Sequence, residues 1–304
     1  MKIMGVTVDT RNGKARRILG PVATAYQHPT ERMLRDVRRD ANPFFHIFES
    51  VWMLAGRNDV EWISQFNSNI GQYSDNGETF HGAYGHRWRN HFGHDQLMWA
   101  IEHLKAEPNS RRTVVQMFDP DVDQAYDGGK DIPCNTAIYF EIVEGKLNMT
   151  VTNRSNDIVW GCYGANAVHM SILQEFVANA LGATVGQYLQ ISNNFHIYEG
   201  HFPFMDAVAD PHGYSQEMAS SHVPITTPAT WRKDLSEFED WIVHPRYPHN
   251  NKFITNVLNP MVHSWEFYKL KNRDNAFLYA STITDLEVKI ACEEWLQRRN
   301  WEKT

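Results

Sequence analysis

Two strand-like runs, Ala137 to Val143 and Lys146 to Thr152, are separated only by Glu144-Gly145. Alternating apolar residues on both sides of a two-residue turn ending in glycine predict a tight antiparallel hairpin. A hairpin brings its two outer ends side by side. Here those ends are Asp131-Ile132-Pro133-Cys134-Asn135-Thr136 and Asn153-Arg154-Ser155-Asn156-Asp157, so a thiol and a guanidinium come together. A free thiol is mostly protonated at neutral pH, and a fixed cation beside it lowers its pKa and makes it a usable nucleophile. The sequence therefore predicts an enzyme built around Cys134.

Helical and strand signals surround this hairpin. Asn42-Pro43 followed by Phe44 to Ala55 and Gly56 reads as a helix with a side-chain cap, a proline at its first position and a terminating glycine. Its only acid is Glu49, whose neighbours at helical spacing are Phe45, His46, Trp52 and Met53. Desolvation in such company is expected to raise the carboxyl's pKa and suit it to proton exchange near neutrality. Asp95 opens a helix through Lys105, and Asn109-Ser110 turns the chain into a strand from Arg112 to Phe118. Asn166 to Leu181 carries Val168, Ile172, Phe176 and Ala180 on one stripe before Gly182, and Gly186 to Ser192 reads as a further strand. This mixture makes the class α+β, a mixed sheet packed against helices.

Past about residue 205 the character changes. Asp210 to Thr230 is rich in proline, serine and histidine, and Pro245 to Asn251 is a second loop signal. Helices are expected over Pro260 to Leu270 and from Asp285 to about Arg299, the latter capped by Thr284 with Glu287 three residues on. A chain of 304 residues with 42% hydrophobic content can bury one large core, and we read residues 1–304 as one domain with a helical extension over 206–304.

A net charge of -7 argues against a broad nucleic-acid or membrane surface, leaving local clusters such as Arg111-Arg112 for a small anion. Three cysteines, at 134, 162 and 292, are too few and too scattered for a disulfide framework or a four-ligand zinc site. No metal is expected, and a reducing cytoplasm fits. The first residues lack the apolar core of a signal peptide, and no run reaches the ~18 apolar residues of a spanning helix.

From about residue 3 to about 205 the chain resembles the thymidylate synthase family. The resemblance rests on Arg11-Asn12-Gly13, Glu49 within Phe48-Glu49-Ser50-Val51-Trp52, Ala83-Tyr84-Gly85-His86-Arg87-Trp88, Ser110-Arg111-Arg112, Pro133-Cys134, Arg154-Ser155-Asn156-Asp157, Gly161 and His196-Ile197-Tyr198. Members of this family methylate or hydroxymethylate pyrimidine nucleoside monophosphates. The resemblance implies a thymidylate synthase-like fold and 5,10-methylenetetrahydrofolate as one-carbon donor. It also implies a homodimer whose active sites are shared, with Arg111 and Arg112 crossing the interface to grip the phosphate beside Arg11, Arg154 and Ser155. Cys134 would add to C6 of the ring, making C5 nucleophilic. Glu49 would relay protons with Tyr84 near C5, His196 and Tyr198 would hold the sugar, and Asp157 and Gly161 would lie on the folate side.

Two departures from the family bear on the product. Uracil-reading members place an asparagine four residues after the glycine matching Gly161, and cytosine-directed members can place an aspartate there; here that position is Ala165, with Asn166 next to it. The base must be read by another group, with Asn166, Asn135 or a water as candidates. The stretch Ile70 to Asp75 also lacks the tryptophan that reductive members use to shield the exocyclic methylene, and the C-terminal segment is unrelated. Water capture, giving 5-hydroxymethylation of dCMP, CMP or dUMP, is favoured over reductive methylation of dUMP. A non-catalytic nucleotide-binding or assembly homologue is a third reading, disfavoured because binding alone does not need Cys134, Glu49, Tyr84 and Asp157.

Overall fold

The structure is a computed structural model, and it describes residues 5–206, 224 and 227–302. Most of the loop expected over Asp210–Thr230 lies outside the described residues. The hairpin forms as its sequence requires: β5 (Asn135–Val143) and β6 (Lys146–Asn153) pair antiparallel, and Glu144 and Gly145 both adopt positive φ, at 51° and 73°. Two consecutive residues with φ > 0 are what the turn of a right-twisted hairpin needs. Three more strands complete the sheet, β3 (Val22–Tyr26), β4 (Val114–Gln116) and β8 (Thr184–Ser192), in the order β3-β8-β6-β5-β4. All neighbours are antiparallel except β6 and β8.

The parallel pair needs a crossover, and α3 (Asn166–Leu181) supplies it. Val168, Met170, Ile172, Leu173, Phe176 and Val177 are all sealed from solvent, and Gly182 at φ 71° ends the helix in the left-handed conformation. Helix α3 packs on β6, β8 and α1 (Pro43–Leu54). As the sequence predicts, Asn42 caps α1 by accepting from the Phe45 N–H, and Asp95 caps α2 (Gln96–Ala106) by accepting from the Met98 N–H. A second sheet, ordered β1-β2-β9-β7, joins β1 (Gly5–Thr10), β2 (Gly13–Ile18), β9 (Phe195–Tyr198) and β7 (Asn156–Asp157).

Among the described residues the extension holds four α-helices, α4 (Trp231–Val243), α5 (Asn259–Lys269), α6 (Arg273–Ser281) and α7 (Leu286–Gln297). They share a continuous core with the sheet layers through α1, where Phe44 meets Trp265 and Trp295 at 5.5 and 5.7 Å between ring centroids, and Phe48 meets Trp241 at 5.9 Å. Two local expectations are corrected. The strand expected over Arg112–Phe118 spans only Val114–Gln116, since the Met117 and Phe118 N–H groups both turn onto the Thr136 carbonyl. The last helix is capped by Asp285, which accepts from the Val288 N–H, and Glu287 accepts from the Met33 N–H at 2.9 Å instead of closing a box with Thr284.

Candidate active site

Hairpin geometry brings the two expected groups together. The Arg154 N–H donates to the Cys134 carbonyl at 2.9 Å, and Arg154 Nη2 lies 3.9 Å from Cys134 Sγ. The guanidinium also grips the loop: Nε and Nη2 donate to the Pro133 and Ile132 carbonyls at 2.8 and 2.9 Å. Arg11 makes a matching grip one turn upstream, donating to the Gly129 and Lys130 carbonyls at 2.8 and 3.0 Å. Burial pushes the Cys134 thiol up, outweighing the downward pull of Arg154 and Arg11, and Asp131 adds to the rise. The depressed pKa anticipated from the cation alone is therefore not found in a single chain.

Tyr84 reaches the same place from the other side, its hydroxyl accepting from the Asn135 N–H at 3.3 Å, and burial raises its pKa well above that of a free tyrosine. A cavity of about 150 Å³ opens here, lined by Glu49, Trp52, Ile70, Phe80, Tyr84 and Asp131 among others. Glu49 has a partner that the helical spacing hid: its Oε2 lies 2.9 Å from Nε2 of His169 on α3. Trp52, almost sealed from solvent, gives the cavity a tryptophan wall that a reading confined to Ile70–Asp75 misses.

Beneath the hairpin runs a buried chain of amides. Asn153 donates to Asn135, Asn135 donates to Asn166 Oδ1 at 3.3 Å, Asn166 donates to Asn156 Oδ1 at 3.3 Å, and Asn156 donates to Gln190 and Ser192 at 2.6 and 2.9 Å. Gly161 lies against it: a Cβ there would collide with Asn156 Oδ1. Asp157 Oδ1 accepts the Val159 and Trp160 N–H groups at 2.8 and 2.6 Å, while Oδ2 is buried with no hydrogen-bond partner among the described residues. His196 and Tyr198 stand on β9 with rings 5.0 Å apart; Asp157 pairs with His196 across the parallel β7–β9 register, and Tyr198 OH accepts from Asn12 at 3.3 Å. Ser155 sits between Arg154 and Asn156, half-buried.

Arg111 and Arg112 are not brought to Cys134 within the chain. Arg112 is 72% exposed beside Glu107 at 3.7 Å, and Arg111 lines a separate cavity with Tyr139 and Glu141. Sequence reasoning missed three groups: Asp131, His169 and the amides Asn153 and Asn156. Their signals were present, three residues before the nucleophile, three after Asn166, and at the strand ends that flank Arg154. Among the described residues no group of three or more His, Cys, Asp or Glu could hold a metal ion, and no helix is long and apolar enough to cross a membrane.

The family sequence model described as thymidylate synthase matches residues 39–225. This chain belongs to the thymidylate synthase family. Its α+β fold is that of the family, and it is a one-carbon transferase. Three phage proteins named deoxyuridylate hydroxymethyltransferase are similar to it. The protein of Pseudomonas phage M6 is 43% identical over 97% of this chain and 88% of its own length. Those of Bacillus phage SP01 and Delftia phage PhiW-14 are 39% and 34% identical over 61% and 69% of this chain, and the matches span 51% and 59% of their lengths. The thymidylate synthase model ends at 225, whereas the M6 match continues into the helical extension, so the tail has a counterpart in that relative.

Proposed function

We propose that this enzyme transfers a one-carbon unit to C5 of dUMP and completes the reaction with water, giving the 5-hydroxymethyl nucleotide. The observation that carries this reading is the match to the M6 deoxyuridylate hydroxymethyltransferase over 97% of this chain and 88% of that protein, helical extension included. The site supports it. A nucleophile at Cys134 adds to C6, and the electrons released into the ring make C5 able to attack an electrophile. Glu49 and Tyr84, which line the cavity beside the nucleophile, handle protons at and near C5.

Arg11, Arg154 and Ser155 bind the phosphate, with Arg111 and Arg112 supplied by a second copy of the chain in a homodimer. Bidentate guanidinia suit a dianion, and both loop-gripping arginines keep further N–H donors. His196 and Tyr198 hold the sugar, and Asn166 reads the base. Methylenetetrahydrofolate would supply the one-carbon unit at the oxidation level of formaldehyde. The unpartnered Asp157 Oδ2 fits a ligand bearing N–H groups, and Trp52, Ile70 and Phe80 fit its flat ring. Residues 1–304 act as one domain in this reading.

The deciding experiment incubates the protein with methylenetetrahydrofolate and dUMP, dCMP, UMP or CMP and weighs the products. A gain of CH2O on dUMP, oxygen drawn from labelled water and no dihydrofolate are expected. A gain of CH2 with stoichiometric dihydrofolate would make the chain a reductive methylase.

A further inference from the structure

The chain from Gly129 to Pro133 is held unusually firmly for a loop. Arg11 donates to the carbonyls of Gly129 and Lys130, and Arg154 donates to those of Ile132 and Pro133. Four carbonyls are thus fixed by two guanidinia, and Pro133 restricts the residue before it to extended backbone. The residue left in the middle is Asp131, which receives neither arginine. Its Oδ2 accepts the Gly82 N–H at 2.8 Å, and Oδ1 has no hydrogen-bond partner among the described residues. Asp131 instead lines the cavity shared with Glu49 and Tyr84. A close-packed Gly82 makes this placement possible, since a Cβ there would come within 2.9 Å of the Asp131 carbonyl and 3.1 Å of Oδ1.

Two carboxyl groups therefore face one small, largely apolar cavity beside the nucleophile. Proton removal at C5 and capture of water at the exocyclic carbon are chemically separate events, each releasing one proton, and two carboxyls at one cavity can divide them. Resting on the hydroxymethylation reading above, we propose that Asp131 is the base that takes the proton from the capturing water, leaving Glu49 to the C5 proton. In this step water oxygen bonds to the exocyclic CH2, the C5=CH2 π electrons move back into the ring as the enolate, and the proton passes to Asp131. The enolate then expels the Cys134 sulfur from C6, restoring the ring double bond. No oxidant or reductant is needed.

The setting suits the role. Burial raises the Asp131 pKa, while the Gly82 N–H, His81 and Arg87 lower it and Asp75 raises it, so a base of more than ordinary carboxylate strength faces the cavity. The cavity's roughly 150 Å³ open to water centres is well above the roughly 10–15 Å³ that one water needs on that measure, so ordered water has room beside a ligand group.

Run in reverse, the step needs no folate, which gives a clean test. The full-length enzyme is incubated with 5-hydroxymethyl-dUMP in ¹⁸O-labelled water: hydroxide leaves with the proton of Asp131 and labelled water returns. The unsubstituted enzyme should exchange the hydroxymethyl oxygen. Asp131→Asn should lower that exchange by ~10²-fold or more, the usual worth of a positioned base, while its melting temperature and dUMP affinity stay within a few-fold or few degrees. Asp131→Glu, which keeps a carboxyl, should recover at least tenfold of the loss. Equal exchange by Asp131→Asn and the unsubstituted enzyme, or equal loss in the Asn and Glu variants, overturns the assignment. Absence of exchange in the unsubstituted enzyme overturns the hydroxymethylation reading itself.

Discussion

Glu49 Oε2 and His169 Nε2 lie 2.9 Å apart, joining the first helix of the core to the crossover helix at the wall of the cavity. A second imidazole, His46, stands one turn before Glu49 with its ring 6.1 Å from that of His169. Burial, with His169 and Arg39 nearby, pushes its pKa down to about 3, so His46 is a neutral ring at working pH. Glu49 thus has His169 as an ionisable neighbour, with neither Oε2 nor Nε2 completing a hydrogen bond among the described residues. Glu49→Gln is expected to lower turnover by ~10²-fold with dUMP affinity within a few-fold. His169→Ala should cost about tenfold, and the double variant no more than Glu49→Gln alone, because groups acting as one unit do not add. Additive losses in kcat would show that His169 acts elsewhere.

Cys134 is short of positive charge in a single chain: burial lifts its thiol despite Arg154 and Arg11. Arg111 and Arg112 stand apart on the same chain, the latter largely exposed. In a dimer with shared sites, Cys134→Ala and Arg112→Ala proteins, each inactive alone, should regain activity when mixed, since some hybrid dimers contain one intact site. A fully active monomer in sedimentation would sink the arrangement.

Much of this was legible in the sequence because the responsible interactions are local. The Glu144-Gly145 turn, the Asn42 and Asp95 caps and the Gly182 stop each depend on residues within a few positions, and all formed. Most of what escaped depends on contacts between distant segments. Trp231, Leu235, Phe238 and Trp241 do stand at helical spacing, a local signal for α4 that went unread, whereas α6 is placed by packing on α5 and α7, and β1 and β2 are fixed by pairing with each other and, for β2, with β9. The same holds for the site. Cys134 and Arg154 follow from one hairpin, whereas His169 meets Glu49 only once α3 packs on α1. A cation beside a thiol was read correctly as geometry and incorrectly as a pKa, because burial is a property of the whole fold.

Glu287 provides a stability test of the extension. It is buried, accepts the Met33 N–H at 2.9 Å, and its pKa is raised to about 7 by desolvation, which outweighs Met33 and Arg32 and is reinforced by the nearby Asp285. A carboxyl raised on folding binds more protons in the folded than in the unfolded chain between its two pKa values. Its contribution therefore weakens stability as pH climbs from the ordinary carboxylate range to about 7, and the full penalty persists above. Glu287→Gln, able to accept the same N–H, should raise Tm at pH 8 and leave it nearly unchanged at pH 5, by roughly 2–4 °C for each kcal/mol recovered. An equal shift at both pH values would point to packing.

The last prediction concerns the base. Asn166 Oδ1 accepts from Asn135 and its Nδ2 donates to Asn156, and each atom keeps one further hydrogen-bonding position. Because both neighbours are buried and themselves bonded, the amide cannot turn over to reverse its donor and acceptor. Uracil offers an acceptor at O4 and a donor at N3, and cytosine offers the reverse. A fixed amide therefore chooses between them, at ~1–3 kcal/mol for a good bidentate pair, or roughly 10- to 100-fold. Asn166→Asp removes the donor that O4 requires and leaves acceptors that the cytosine amino group can use. The ratio of kcat/KM for dUMP over dCMP should fall by at least about tenfold in this variant. Asn135→Ala should loosen the choice without reversing it, since it frees Oδ1 while leaving the amide in place. An unchanged ratio in Asn166→Asp would move base recognition to another group.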